Sequence, residues 1–136
     1  MTLKDKQQQI IDEFSLYDDW LDKYEYLIDL GKSLEGLDES KKTGDRLIKG
    51  CQSRVWLDTE YAGGVLNFSA DSDALITRGI ISLLVEVYSG CTPREILDDD
   101  FSFLDELGLK ENLSPTRAGG LASMIQTIRS KAQENV

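Results

Sequence analysis

The sequence predicts an α+β fold: a small antiparallel sheet of two to three strands in mid-chain, packed against N- and C-terminal helices. Apolar residues recur at spacings of three and four toward both ends of the chain, which is typical of amphipathic helices. Between residues 53 and 70 the pattern changes to alternation, which is typical of strands. The chain has 136 residues, the length of one domain, and we expect residues 1–136 to form it.

Composition excludes several classes of function. Fifteen basic and 25 acidic residues give a net charge of −10, which disfavours binding to nucleic acid or to anionic membranes. There is no histidine, so histidine-dependent nucleophiles are excluded. The two cysteines, Cys51 and Cys91, form no CxxC motif, and no apolar run reaches a membrane span. We therefore expect a reduced, cytoplasmic protein without a metal or cofactor.

Two helices are predicted at the start of the chain. Thr2 and Asp5 have the spacing of a helix cap, and the first helix carries its apolar face on Leu3, Ile10, Ile11 and Phe14. The second apolar face comprises Trp20, Leu21, Tyr24, Leu27 and Ile28, and we place the end of that helix at Gly31. Residues 31–46 are polar and aperiodic, which indicates a long connector.

A hairpin and a buried helix follow. Strands are expected over 53–61 and 65–70, joined by a turn at Gly63-Gly64. Asp71 and Asp73 are interpreted as caps of a helix over 74–89, which is apolar nearly all round and therefore belongs in the core.

Three helices complete the predicted fold. Thr92-Pro93-Arg94-Glu95 combines a capping box with proline at the first helical position. Residues 103–107 form a further turn before Gly108, and Ser114-Pro115 begins the last helix. The Asp98-Asp99-Asp100 run is interpreted as a solvated link, because the glycine that an EF-hand loop needs at its sixth position is replaced by Phe103.

Cys51 is the candidate reactive residue. It lies between Gly50 and Gln52 at the end of the polar connector, with Lys49 and Arg54 nearby. Cations favour the thiolate, which is the nucleophilic form of cysteine. The alternative is that Cys51 is a small apolar residue at the start of a strand. For Cys91 we expect burial at a helix junction, although the following helix N-terminus could polarise its thiol.

The stretch Leu47-Ile48-Lys49-Gly50-Cys51-Gln52-Ser53-Arg54-Val55-Trp56-Leu57 resembles the signature of the SufE family of sulfur-acceptor proteins. Further matches are Asp71-Ser72-Asp73-Ala74, Thr92-Pro93, and Leu113-Ser114-Pro115-Thr116-Arg117 with Gly120-Leu121. The similarity extends to about residue 132 of the chain.

The resemblance implies a fold shared with IscU-type scaffolds and a role as sulfur carrier rather than enzyme. Cys51 aligns with the cysteine that accepts persulfide sulfur from a SufS-type cysteine desulfurase and passes it to the SufBCD scaffold. The family keeps this cysteine on a mobile loop, sheltered in an apolar cavity. Gly50, Gln52, Ser53, Asp73 and Arg117 are carried over as loop-restraining or partner-binding residues.

Three points stay open at this stage. Cys91 matches no cysteine of the family pattern, so a thiol-based redox protein that uses Cys51 and Cys91 is the alternative function. A weak homodimer is a further alternative that the sequence does not decide. The desulfurase paralogue that would act as partner is also undecided.

Overall fold

The computed structural model describes residues 1–136 and contains seven α-helices and one two-stranded sheet. The elements are α1 (Leu3–Phe14), α2 (Trp20–Ser33), β1 (Val55–Ala62), β2 (Val65–Ser72), α3 (Leu75–Tyr88), α4 (Pro93–Asp98), α5 (Phe103–Leu107), α6 (Leu109–Asn112) and α7 (Pro115–Asn135). A short 3₁₀ turn, Glu39–Lys41, interrupts the connector between α2 and β1. The predicted α+β class is confirmed.

The two strands form an antiparallel hairpin that pairs Val55 with Ser72 at its open end and Ala62 with Val65 at its turn. Gly63 and Gly64 both have positive φ, 62° and 82°, as a two-residue type I′ turn requires. The first strand begins at Val55 rather than at residue 53 and ends at Ala62. The second extends beyond residue 70 to Ser72, because pairing continues into the polar residues Asp71 and Ser72. The hairpin itself is confirmed.

The connector returns to the sheet just before the first strand. The Ile48 N–H donates to the Val55 carbonyl at 2.8 Å, and the Leu57 N–H donates to the Arg46 carbonyl at 2.9 Å. A single bridge between Leu47 and Trp56 results. A second isolated bridge joins Cys91 to Leu66, so the sheet has two strands plus two bridging residues, within the predicted two to three strands.

Helix α3 lies at the centre of the core, as its apolar composition predicts. It packs on β2 on one side and on α2 on the other. Its fully buried side chains include Ile80, Ile81, Leu83, Leu84 and Val87.

The prediction that Gly31 ends the second helix is wrong. Helix α2 continues through Gly31 to Ser33, because this glycine serves close packing. A Cβ on Gly31 would lie 2.9 Å from the Gly79 nitrogen, and one on Gly79 would overlap the Leu27 carbonyl. The two glycines thus let α2 and α3 approach at backbone distance, and the connector begins at Leu34 rather than at residue 31.

The interpretation of Asp71 and Asp73 as caps of α3 is also wrong. The N-cap is Ala74, which receives no side-chain cap, and Asp71 lies within β2. The Asp71 carboxylate instead pairs with Arg78 and accepts the Leu37 N–H at 3.0 Å. It thereby joins the connector to the sheet and to α3.

The remaining helix starts are confirmed, with one correction to a link. Capping boxes form at Thr2 and at Thr92, and the Ser114 hydroxyl caps α7. Asp99, expected in a solvated link, is buried and accepts hydrogen bonds from Tyr88 at 2.7 Å and from Gln7 at 3.0 Å. This carboxylate joins α1 to α3.

Candidate functional site

The loop that carries Cys51 spans residues 49–54, between the Leu47 bridge and β1. Its base is closed by the hydrogen bond between Ile48 and Val55. Gly50 has a φ of 93°, a conformation that residues with a Cβ rarely adopt. A Cβ at this position would overlap the Ser123 hydroxyl of α7. Two local requirements therefore favour glycine at position 50: the positive φ of the loop backbone and the lack of room for a Cβ beside Ser123.

The Cys51 thiol points into a cavity of about 230 Å³ between its loop, α3 and the first turns of α7. It is half-buried and donates a hydrogen bond to the Gly120 carbonyl oxygen, with a sulfur–oxygen distance of 3.6 Å. The cavity is lined by Cys51, Gln52, Ser53, Thr77, Ile80, Ser114, Thr116, Arg117, Gly120 and Met124. Ile80 and Met124 are its buried apolar residues, whereas most of the lining is polar, so the cavity is less apolar than the resemblance implies.

Burial raises the pKa of the Cys51 thiol above its ordinary value. The sequence analysis noted that Lys49 and Arg54 could favour the thiolate but left the pKa undecided, and in this conformation burial has the larger effect. Both cations are exposed, so water surrounds their charge while the sulfur faces the protein interior. The resting cysteine is a protonated, weakly nucleophilic thiol.

Asp73 fixes the point where the loop joins β1. Its Oδ1 accepts the Arg54 N–H at 3.0 Å, and its own N–H donates to the Arg54 carbonyl at 3.3 Å. The Ser72 hydroxyl donates to the same carbonyl at 2.8 Å. Asp73 therefore lies at the end of the loop rather than in the cavity, a position suited to restraining the loop.

Arg117, Gln52 and Ser53 lie at the rim of the cavity with Cys51. The backbone N–H of Arg117 donates to the Ser114 hydroxyl at 3.3 Å, while its guanidinium is exposed and takes part in none of the salt bridges. Four of the six predicted site residues thus line one cavity.

Sequence analysis assigned six of the ten lining residues no place in the site, and two of these, Thr77 and Gly120, matter most for Cys51. Thr77 lies on the same face of α3 as Ile80, and a hydroxyl residue on an otherwise apolar face was the available signal. Gly120 gives the loop room on α7, since a Cβ there would lie 3.4 Å from the Cys51 sulfur.

Cys91 lies outside the site. It is buried, forms a bridge with Leu66 and donates to the Val87 carbonyl at 3.7 Å. Val87 is seven residues along α3 from Ile80, which lines the Cys51 cavity, a separation of roughly 10 Å along the helix. Disulfide formation needs Cα atoms within about 7 Å, so the fold as it stands does not join the two free thiols.

The side chains form no metal centre. No group of three or more His, Cys, Asp or Glu residues is placed to hold a metal ion. In addition, no helix is both long enough and apolar enough to span a bilayer.

Comparison with known proteins decides the family. The SufE family model, described as Fe-S metabolism associated domain, matches residues 8–132. The chain belongs to the SufE family. Membership gives this protein a role in iron–sulfur metabolism, and the resemblance seen in the sequence is confirmed.

Relatives agree with this SufE assignment, and a solved structure agrees with the fold. An uncharacterised SufE-like protein of Rhizobium etli is 44% identical over 130 residues, which cover 92% of this chain and 88% of that protein. Another SufE-like protein, of Rhizobium meliloti, is 41% identical over 92% of this chain and 93% of its own length. The solution structure of a hypothetical protein from Thermus thermophilus superposes with a TM-score of 0.77 at 18% identity, covering 96% and 95% of the two chains. That likeness supports the fold.

Proposed function

We propose that this SufE protein accepts persulfide sulfur from a SufS-type cysteine desulfurase on Cys51 and passes it to the SufBCD scaffold in the cytoplasm. The observation that carries the proposal is the placement of Cys51. A single thiol lies on a loop above a small cavity, with no metal ligands around it. Such a thiol can receive one sulfur atom and shelter it.

The transfer step is thiol–persulfide exchange. The Cys51 thiolate attacks the outer sulfur of the desulfurase persulfide, a new S–S bond forms on Cys51, and the desulfurase cysteine leaves as a thiolate. The step consumes no external oxidant or reductant. Release of sulfur from free cysteine belongs to the desulfurase and its cofactor, so this protein acts as a stimulating partner rather than as the enzyme.

The raised pKa of the Cys51 thiol gives the transfer a conformational requirement. In the cavity the thiol is protonated, and its hydrogen-bond acceptor is the Gly120 carbonyl. A carbonyl oxygen cannot stabilise a thiolate, because it donates no proton. We propose that desulfurase binding moves the loop outward, where water and the partner's charges restore a reactive thiolate.

The contacts around Cys51 suit such a movement. Its sulfur is held by one weak hydrogen bond, whereas the ends of the loop are fixed by stronger backbone bonds at Ile48 and Arg54. A loop with firm ends and a weakly held tip can move without unfolding its neighbours. Gln52 and Ser53, next to the tip, would then contact the partner.

Charge at the cavity rim indicates the chemistry of the docking surface. Arg117 is exposed at this rim, and Lys49 and Arg54 are exposed on the loop beside it. None of the three forms a salt bridge within the chain, although the protein carries a net charge of −10. Unpaired cations on an acidic protein steer an acidic partner surface toward that face. We propose that they orient the desulfurase around Cys51.

Incubation with a SufS-type desulfurase and cysteine tests this function. Intact-mass spectrometry of the wild type should show added mass of one sulfur atom, and peptide mapping should place it on Cys51. Cys51→Ser should gain no sulfur and should not stimulate the desulfurase, while Cys91→Ser, the matched control, should behave as wild type. Stimulation by Cys51→Ser, or sulfur on Cys91 alone, would refute the proposal.

A further inference from the structure

We propose that Thr77 holds the outer sulfur of the Cys51 persulfide inside the cavity through a hydrogen bond from its hydroxyl. The inference rests on the proposed function, because it concerns the product of sulfur transfer. It assigns the cavity a ligand of defined chemistry, the anionic outer sulfur of a cysteine persulfide.

The starting observation is a hydroxyl without a partner on a buried residue. Thr77 is 7% exposed, lines the Cys51 cavity and forms no hydrogen bond through its side chain. Helical threonines often donate to the carbonyl four residues earlier, as Thr127 does to Ser123 at 2.8 Å. Thr59 also lacks a partner, but its hydroxyl is sealed from solvent. The Thr77 hydroxyl, which is not sealed, is therefore a free donor that reaches the cavity.

Sulfur transfer creates an acceptor for that donor. The S–S bond of a persulfide is about 2.05 Å long, so the outer sulfur reaches farther into the cavity than the Cys51 sulfur. A persulfide is more acidic than the corresponding thiol, and its outer sulfur carries the negative charge. Burial of that charge without a donor is costly, and the Gly120 carbonyl, which serves the thiol, cannot donate.

Among the hydroxyl-bearing residues that line the cavity, Thr77 is the buried one. Ser114, Thr116 and Arg117 are exposed at the rim, where water competes for their hydrogen bonds. Ser53 is only partly buried and belongs to the loop that moves. Thr77 lies on the rigid central helix α3, so its hydroxyl stays in place while the loop returns.

The hydrogen bond would keep the loaded loop in its inward position. Because a hydrogen bond to a charged sulfur is stronger than one to a neutral group, the persulfide form would be held more firmly than the thiol. The outer sulfur would be exposed to small nucleophiles only when the loop opens. Loss of the hydroxyl would raise the open fraction by about tenfold.

The test loads Cys51 chemically, without the desulfurase. A mixed disulfide of Cys51 with 5-thio-2-nitrobenzoate is treated with hydrosulfide, which displaces the aromatic thiol and leaves the Cys51 persulfide. Cyanide then attacks the outer sulfur, the S–S bond breaks, thiocyanate forms, and the Cys51 thiolate remains. The rate of thiocyanate formation measures access to the outer sulfur.

Four proteins are compared: wild type, Thr77→Val, Thr77→Ser and Thr59→Val. We expect Thr77→Val to react about tenfold faster, and the serine variant, which keeps the hydroxyl, to match the wild type. Thr59→Val is the matched control, since it removes a buried unpartnered hydroxyl outside the cavity, and it should also match. Equal rates for Thr77→Val and wild type, or equally fast serine and valine variants, would overturn the proposal.

Two further readouts separate a hydrogen bond from a packing role. The pH dependence of the ultraviolet absorbance of the persulfide should show a higher pKa in Thr77→Val than in wild type, because the donor stabilises the anion. In the wild type the NMR signal of the Thr77 methyl group should shift on loading while that of Thr59 stays. An unshifted Thr77 signal contradicts the inference even if the valine variant does not fold.

The two proposals can fail independently. Chemical loading measures the cavity whether or not a desulfurase delivers the sulfur. A wild type that receives no sulfur from the desulfurase but shows the Thr77 effect refutes only the proposed function.

Discussion

Gly120 of α7 lies directly against Cys51: its carbonyl oxygen accepts the thiol hydrogen bond at 3.6 Å, and a Cβ on it would stand 3.4 Å from the sulfur. One helical residue therefore supplies both the acceptor of the resting thiol and the space it occupies. The inward position of the loop therefore depends on a small residue at this point, because a Cβ would already be in contact with the sulfur.

Enlarging Gly120 should drive the loop out of the cavity. In Gly120→Val the γ carbons would overlap the Cys51 sulfur, so we expect faster alkylation of Cys51 and a loss of about 1–3 kcal/mol in the free energy of unfolding. Gly119→Val is the control, because a Cβ on Gly119 meets no atom within 4 Å. Iodoacetamide labelling and urea unfolding measure both effects. Equal labelling rates in the two variants would contradict this view of the loop.

The reactivity of Cys51 should depend on pH in a defined direction. Because burial raises the pKa of this thiol above 9.0, its ordinary value, alkylation of the folded protein should rise with a midpoint above pH 9. In urea, where the chain is unfolded and the thiol is exposed, the midpoint of alkylation should lie at a lower pH. Because the thiol has a higher pKa in the folded than in the unfolded protein, it contributes stability at pH values below its unfolded pKa. This contribution is lost as the pH rises through the folded pKa. A folded-state midpoint at or below that of the unfolded chain would contradict the burial argument.

Removal of the Asp73 carboxylate should loosen the end of the loop. Asp73→Ala deletes the acceptor of the Arg54 N–H, so we expect about fivefold faster hydrogen exchange at that amide, the effect of roughly 1 kcal/mol. Asp38→Ala is the control, since its side chain caps nothing and lies in the exposed connector. The exchange rate of the Arg54 amide is measured by NMR. An unchanged rate in Asp73→Ala would show that this hydrogen bond does not restrain the loop.

Asp71→Asn should destabilise the protein at neutral pH and much less in acid. Burial acts to raise the pKa of Asp71, but the N–H groups of Leu37 and Ser72 and the charge of Arg78 outweigh it, and the pKa is lowered. A lowered pKa adds stability above the unfolded value, about 3.9, and this stability is lost as the pH falls below it.

We therefore expect Asp71→Asn to cost about 2–3 kcal/mol at pH 7, with a smaller difference at pH 3, in urea unfolding. Asp98→Asn is the control, because its ion pair with Arg94 is exposed and long, at 4.0 Å, and should contribute little. A loss that is the same at both pH values would show that the charge of Asp71 is not the cause.

Features that depend on neighbouring residues could be predicted from the sequence. The capping boxes at Thr2 and Thr92 and the turn at Gly63-Gly64 involve residues within three positions of each other, and all three were confirmed. The central position of α3 followed from its composition in the same way. Local chemistry is sufficient for such elements.

Predictions failed where the deciding partner lies far along the chain. The role of Gly31 is set by Gly79, and that of Asp71 by Arg78 and by Leu37. Glycine is also common at the end of a helix and aspartate as a helix cap, which are the roles that the sequence analysis assigned to Gly31 and Asp71. Only tertiary packing distinguishes the two roles: that of α2 on α3 for Gly31, and that of the connector and α3 on the end of β2 for Asp71.

The Cys51 cavity could be predicted only in part. The family motif indicated Cys51 and its neighbours, but the acceptor Gly120 and the donor Thr77 come from two other helices. The direction in which the pKa of the thiol shifts could not be predicted, because sequence shows the nearby cations and not the burial of the sulfur.

The separation of Cys91 from Cys51 leaves the protein without an internal resolving thiol. A sulfenic acid formed on Cys51 by a peroxide would find no second cysteine of the chain beside it with which to form a disulfide. Further oxidation to the sulfinic acid would be irreversible without a dedicated repair enzyme. Rescue would have to come from an external thiol such as glutathione. The inward resting position of the loop is then the chain's own protection against permanent inactivation.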